Sequence, residues 1–221
     1  MLREKTIKGA SKLKYKQITK KNFSINQSQE KTIENFLEEL TVYNNKTNLV
    51  GKSTMTDPWR SHILDSIQIT NIITNKNSKI LDMGTGAGFP GLILSILGYR
   101  KVTLVDSSRK KISFLKEVCK KLDIDANILL QRIELIQNNN YDFLTSRALA
   151  NLNKLLFYSH KLIHKHTVMV FLKGQNATKE ISDAKNNWDF SFNVLKSLSD
   201  DRGKVLIINK LSTIRPWKLS L

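Results

Sequence analysis

The run Ile80-Leu81-Asp82-Met83-Gly84-Thr85-Gly86-Ala87-Gly88-Phe89-Pro90-Gly91 carries the densest chemical information in this chain. A short apolar segment ends in an acid and a glycine-dense turn, and a helix-like stretch from Leu92 to Leu97 follows. Glycines let a ligand come close to the backbone, and the amides at a helix start point at whatever binds there. A second apolar run, Val102-Thr103-Leu104-Val105, ends in Asp106. An acid at the end of a second strand, about twenty residues past such a loop, is placed to accept hydrogen bonds from a ribose diol. Together the two features predict a site for a ligand that contains a nucleoside.

The identity of the nucleoside turns on charge. Gly86-x-Gly88-x-x-Gly91 fits the dinucleotide fingerprint, although that pattern alone is a weak signal. Asp82 stands immediately before the glycines, where a carboxylate would repel a pyrophosphate but suit a ligand bearing an ammonium and a sulfonium. S-adenosyl-L-methionine carries both and has no phosphate. Asp-x-Gly-x-Gly-x-Gly followed by a strand-end acid is the first-motif pattern of Rossmann-like methyltransferases. Dinucleotide binding and a purely structural turn remain as alternatives to this reading.

The elements that must hold these residues follow from the pattern. Apolar runs place strands near 79–83, 101–106, 127–131, 141–146, 167–172, 192–198 and 204–210, with helices near 90–98, 109–121, 152–164 and 176–187. Strand–helix alternation followed by two late strands implies a mostly parallel sheet closed by an antiparallel hairpin, with Asp200-Asp201-Arg202-Gly203 as its turn. The expected fold class is therefore α/β, a Rossmann-like class I methyltransferase with a seven-stranded, mostly parallel sheet and an N-terminal helical cap. Residues 26–77 supply the cap. Ser28 is read as the start of a helix whose apolar face is Ile33, Phe36, Leu37, Leu40 and Tyr43. A second helix begins at Asp57-Pro58 and carries Trp59, Ile63, Ile67 and Ile69. Residues 1–25, lysine-rich and poor in large apolar side chains, read as a basic flexible tail, and residues 78–221 as the S-adenosylmethionine-binding domain.

In an open parallel sheet the ligand lies at the carboxyl ends of the strands. That rule nominates Gly84, Gly86, Gly88 and Phe89, then Asp106, then the segment from Gln131 to Glu134, then Ser146-Arg147 and Lys173-Gly174. Arg147 stands out in a chain that otherwise prefers lysine; it is read as a planar, bidentate contact, with a structural salt bridge as the alternative. His160, His164 and His166 include an i,i+4 pair but lack the acid of a His-Glu-x-x-His motif, so no metal site is expected. Cys119 lies mid-helix without the preceding proline of a cytosine-C5 methyltransferase and is read as packing. With only Pro58, Pro90 and Pro216, the chain has no Asn/Asp-Pro-Pro-Tyr motif for methylating exocyclic amines.

Composition narrows the partners. Thirty-six basic against nineteen acidic residues give a net charge of +17, a field that attracts polyanions, nucleic acid first among them. Lysine, asparagine and isoleucine are all abundant, as AT-rich coding would also produce. No run is long and apolar enough for a membrane span, the lysine-rich N-terminus lacks the apolar centre of a secretory signal, and its amphipathic pattern is poor for a mitochondrial presequence. A single cysteine fits a reducing compartment. The expectation is a cytoplasmic monomer without membrane partners.

From about Ile33 to Lys210 the chain resembles the bacterial small-subunit rRNA guanine-N7 methyltransferase family RsmG, also called glucose-inhibited division protein B. The matching pieces are Tyr43-Asn44-x3-Asn48-Leu49, His62-Ile63-Leu64-Asp65-Ser66, the loop from Asp82 to Gly91, Leu104-Val105-Asp106-Ser107 with Lys110-Lys111 and Phe114-Leu115, Ser146-Arg147-Ala148, and Leu172-Lys173-Gly174. Ser61, Val50 and Ile93 depart from the family's usual residues. The resemblance implies cofactor contacts at Gly84, Phe89, Asp106, Ile133, Glu134 and Arg147. It implies formation of N7-methylguanosine in 16S rRNA, at guanine 527 in the family's rRNA numbering, on the rRNA or a small ribosomal subunit precursor.

Guanine N7 has a lone pair and no proton, so the reaction needs alignment and water exclusion rather than a general base. Arg147, Lys173 and His62 are the candidate catalytic residues, Arg147 and Lys173 for orienting the guanine or its phosphates, with Asp82 or His62 shaping the methionine end. The competing readings are a methyltransferase for another RNA site or a small molecule, and a non-catalytic RNA-binding ribosome assembly factor.

Overall fold

The computed structural model describes residues 12–137 and 140–214. Seven strands form one sheet in the order β3-β2-β1-β4-β5-β7-β6: β1 Lys79–Met83, β2 Lys101–Asp106, β3 Asn127–Leu130, β4 Phe143–Arg147, β5 Val168–Lys173, β6 Trp188–Lys196 and β7 Lys204–Thr213. The first five are parallel; β7 runs antiparallel to both β5 and β6. The strand order reverses between β1 and β4, so a crevice opens there at their carboxyl ends.

Period-two alternation divides the core. In β1, Ile80 faces one layer while Leu81 and Met83 face the other; in β2, Val102 and Leu104 oppose Val105. The first layer holds helices α3 (Gly91–Ile96) and α4 (Arg109–Leu122), and the second holds α5 (Leu152–Ser159) and α6 (Ala177–Ala184). The expected hairpin turn lies between β6 and β7, closed by Gly203 N donating to Asp200 O at 2.9 Å. β6 begins four residues earlier than the pattern predicts, because Trp188 and Phe190 alternate inward at its start. Helix α5 stops at Ser159, short of the predicted 164, so His164 is off the helix and the i,i+4 histidine pair does not form.

The cap sits on the first layer. Helix α2 (Gln27–Thr47) buries Ile33, Phe36, Leu37 and Leu40. Its N-cap is Asn26, not the predicted Ser28: Asn26 and Gln29 form a reciprocal capping box. Asp57 does open the next helix, accepting from Arg60 N at 3.2 Å. That helix winds as a π-helix over Trp59–Leu64, and the wider winding buries Trp59, His62, Ile63 and Leu64 together.

The expected flexible tail over 1–25 requires correction. Lys12–Phe23 is a helix, α1, and Tyr15, Thr19 and Ile25 are buried. Lys16 and Lys20 both pair with Glu30, Lys16 also pairs with Glu34, and Lys16 lies over the Trp59 ring. The segment is too polar to fold alone, but docking on the cap supplies the apolar and ionic partners that its own sequence lacks. Residues 1–11 lie outside the described residues.

Candidate active site

The turn after β1 owes its shape to its glycines, although they serve different ends. Gly84 has φ +65°, and a Cβ there would lie 2.5 Å from Leu149 Cδ1. Gly86 has φ +60° with its nearest neighbour 3.9 Å from such a Cβ, so its backbone borders open space. Gly88 corrects the sequence expectation. At φ +104° a Cβ would meet Leu92 Cβ at 2.8 Å and Leu115 at 3.1 Å, and the residue does not line the cleft. It is a packing position behind the loop rather than a point of ligand approach.

Asp82 is fully buried. Its Oδ2 accepts from Gly91 N, the first residue of α3, at 2.9 Å, and its Oδ1 accepts from the Thr145 hydroxyl at 2.8 Å. Burial raises its carboxyl above the usual range, opposed by those hydrogen bonds. Asp82 therefore does not line the methionine end of the cleft, as the sequence had allowed; it occupies the helix start from within. A pyrophosphate would need that same helix N-terminus. The arrangement fits a phosphate-free nucleoside and argues against the dinucleotide alternative.

Asp106 closes the loop from the other side. Its Oδ2 accepts from Gly86 N at 3.1 Å and its Oδ1 from Ser108 N at 2.8 Å, with Lys111 Nζ 3.5 Å away. The carboxylate thus sets the position of the amide that borders the open space, and it lines the cleft itself.

That cleft has a volume of about 1280 Å³. Gly84, Gly86, Phe89, Asp106, Ile133, Glu134 and Arg147 all line it, so the structure brings together every proposed cofactor residue except Gly88. Ile133 is buried and Glu134 exposed, at the turn after β3. The segment from Leu49 to Asp57, the π-helix and the β6–β7 turn line the cleft as well.

Arg147, at the end of β4, is held by the cap. Nη1 donates to Ser61 O at 2.9 Å and to Asp65 Oδ2 at 3.2 Å; Nη2 donates to His62 Nδ1 at 2.8 Å. The guanidinium lies 4.8 Å from the centroid of Phe89, and the His62 ring stacks on Phe89 at 4.5 Å and 14°. Arg147 thus forms the structural ion pair of the alternative reading, and it also lines the cleft. His62 is 3% exposed, and burial, then the Arg147 charge, lowers its pKa to about 3. Lys173 lines the cleft, but its ammonium pairs with Glu180 at 2.6 Å and donates to Ala150 O at 2.8 Å. It braces the loop after β4 instead of standing free to orient a guanine or a phosphate.

Four residues, Thr54, Arg60, Asp65 and Ser199, are not among the site residues read from the sequence. Thr54 accepts from His62 Nε2 at 2.8 Å, Asp65 joins Arg147 to Ser199, and Arg60 Nε donates to Ser199 O at 2.8 Å. The His-Ile-Leu-Asp-Ser run held the signal for Asp65; nothing in the sequence marks Thr54 or Ser199. The Cys119 thiol is buried and pushed up to about 11, which leaves it inert.

The model of the family "GidB: rRNA small subunit methyltransferase G" matches residues 29–205. The "Ribosomal RNA small subunit methyltransferase G" of Rickettsia prowazekii is 36% identical over 182 residues, covering 82% of this chain and 94% of that one. The protein of the same name from Gluconobacter oxydans is 34% identical over 182 residues, with 82% and 94% covered. Among solved structures, the ribosomal protein L11 methylase of Lactobacillus delbrueckii subsp. bulgaricus superposes with a TM-score of 0.56 at 17% identity, covering 73% of this chain and 80% of that one, a likeness of fold.

Proposed function

The chain belongs to the rRNA small subunit methyltransferase G (GidB) family, and from that premise we propose that it methylates N7 of a guanine in 16S rRNA, guanine 527 in the family's rRNA numbering. It is an S-adenosylmethionine-dependent methyltransferase acting on 16S rRNA. The observation that carries the cofactor reading is the pair of carboxylates around the glycine turn. Asp82 fills the helix start that a phosphate would use, while Asp106 holds the Gly86 amide beside open space and faces the cleft.

When bound, the cofactor supplies a methyl group on a positively charged sulfur. Asp106 would accept from its ribose hydroxyls, Ile133 and Glu134 would border its adenine, and Gly84, Gly86, Phe89 and Arg147 would enclose the remainder. Guanine N7 would accept that methyl group on its lone pair. No proton has to move first. The chemistry of the cleft agrees with that. His62 is neutral with both ring nitrogens engaged, and the Lys173 ammonium is ion-paired. Neither of these two side chains is free to take a proton, and N7 would require none to be taken. The protein's part is alignment and exclusion of water.

The described residues include no helix long and apolar enough to cross a membrane. A cytoplasmic monomer acting on the rRNA or a small-subunit precursor fits the basic charge. The test is transfer of labelled methyl groups to 16S rRNA, followed by borohydride reduction and aniline cleavage, which break the chain at N7-methylguanosine. A single cleavage at the expected guanine supports the assignment. Label incorporated without cleavage would place the methyl on another atom.

A further inference from the structure

The contacts of Arg147 join residues that line the cleft through hydrogen bonds whose directions are fixed. A guanidinium has only donors, so His62 Nδ1 must carry the lone pair that meets Nη2 at 2.8 Å. The ring proton then lies on Nε2 and is donated to Thr54 Oγ1 at 2.8 Å. The Thr54 hydroxyl in turn donates to Gly51 O at 2.7 Å. Each link leaves the next only one role. A second arm leaves Arg147 through Asp65: its Oδ2 accepts from Nη1, and its Oδ1 accepts from the Ser199 hydroxyl at 2.7 Å. Gly51, Thr54 and Ser199 all line the same cleft.

Arg147 retains unused capacity. Its five N–H groups make three bonds to protein, to Ser61 O, Asp65 and His62, which leaves Nε–H and one Nη2–H without a protein partner among the described residues. The residue lines the cleft, where a ligand acceptor can take them. A ligand that fixes this guanidinium also fixes what hangs from it.

We infer that His62 is a positioning residue, which transmits occupancy of the cofactor end at Arg147 to the Thr54 segment that walls the RNA end of the cleft. The inference rests on the proposed reading that Arg147 meets the cofactor, and it takes the part of the cleft lined by the Thr54 segment as the side that meets RNA. Its consequence is ordered recognition: cofactor in place first, then a wall shaped for the target nucleotide. Because linkage is reciprocal, bound RNA would tighten the cofactor by the same factor.

The experiment measures affinity for a 16S rRNA transcript with and without S-adenosylhomocysteine, a stable ligand for the cofactor end. For the wild-type protein we expect tighter RNA binding with S-adenosylhomocysteine by about fivefold or more, the usual lower bound for a coupled pair of sites. Thr54→Val keeps the side-chain volume at a partly exposed position, so it should fold. It should bring that ratio close to one while S-adenosylhomocysteine alone binds within about twofold of wild type, and raise KM for RNA with little change in kcat. Thr54→Ser, which retains the hydroxyl, should restore the ratio. In wild type, the 15N shifts of His62 should report a proton on Nε2, and His62→Phe should lose the coupling while keeping a ring on Phe89. An unchanged ratio in Thr54→Val, or a wild-type ratio of one, overturns the inference and leaves the proposed function standing. Failure of the wild type to bind S-adenosylhomocysteine at all would bring down both.

Discussion

The two walls of the cleft are built by opposite means. Around the glycine turn, three of the hydrogen bonds that set the geometry join residues close in sequence, Ser108 to Asp106, Gly91 to Asp82 and Gly86 to Asp106 at 2, 9 and 20 positions, while Thr145 to Asp82 spans 63. Around Arg147, they join residues 82 to 139 positions apart, from Asp65 and His62 to Arg147 and from Asp65 and Arg60 to Ser199. The first wall is set mainly by β1, the glycine turn, the start of α3 and the end of β2. The second exists only after the cap, the end of β4 and the β6–β7 turn have docked. A local wall should therefore fail one residue at a time, whereas a docked wall should fail as a group.

The largest effect expected separates glycines within the first wall. Gly88→Val places a branched side chain where Cβ alone would sit 2.8 Å from Leu92 Cβ, at φ +104°, and should destabilise the fold by about 3 kcal/mol or more. Gly86→Val meets nothing closer than 3.9 Å at its Cβ. It should cost only about 1–2 kcal/mol for its left-handed backbone, while S-adenosylmethionine binding is lost through the filled space. Urea unfolding and calorimetry read the two effects separately. If both variants unfold alike, the division between packing and approach glycines is wrong.

The next prediction tests the docked wall. Deleting residues 1–24 removes buried Tyr15 and Thr19, the ion pairs to Glu30 and Glu34, and the ring beneath Arg60. A loss of about 2–4 kcal/mol is expected from the apolar burial, with weaker RNA binding even where salt screens the lysines. An unchanged unfolding midpoint would show that α1 rests on the cap without supporting it. The family match starts at residue 29, so this brace lies outside the segment that the family model covers.

That contrast explains what the sequence could and could not tell. The strands, the hairpin and the glycine turn were legible because apolar period, glycine and strand-end acid are local signals. Helix α1 was not, since Tyr15, Ile18, Thr19 and Phe23 among lysines give little amphipathic pattern until Trp59, Glu30 and Glu34 are beside them. Lys173 read as a free cation for the same reason: Glu180, its partner, sits on another element. Arg147 was legible as unusual, but its His62 contact required two elements 85 positions apart to meet.

A smaller effect is expected at Asp106, the residue on which the local wall closes. Asp106→Ala removes the proposed ribose acceptor together with the bond that steadies Gly86 N. Cofactor affinity should fall by about 1–3 kcal/mol, the range for a hydrogen bond to a charged group, while the unfolding midpoint moves little. Unchanged affinity by calorimetry would detach this acid from the cofactor and leave it only a loop tie.

The smallest effect concerns pH and belongs to the docked wall. Burial first, and the Arg147 charge second, lower the His62 pKa from 6.5 to about 3. Below pH 6.5 the unfolded chain therefore takes up a proton that the folded chain refuses. The stability tied to neutral His62 is present in full above pH 6.5 and is lost as pH falls toward 3. At pH 5.5 the difference is about 1 kcal/mol for a single group shifted this far. His62→Phe keeps the stacked ring, loses both hydrogen bonds and has no proton to refuse. It should be less stable than wild type at pH 8, and that gap should narrow by about 1 kcal/mol at pH 5.5. Subtracting the two profiles cancels other titrations, including that of Asp82, whose raised carboxyl works in the opposite sense. A gap that stays constant across this range would mean that His62 accepts a proton in the fold. Its Nδ1 could then no longer receive from Arg147, and the docked wall would lose the bond that joins its two sides.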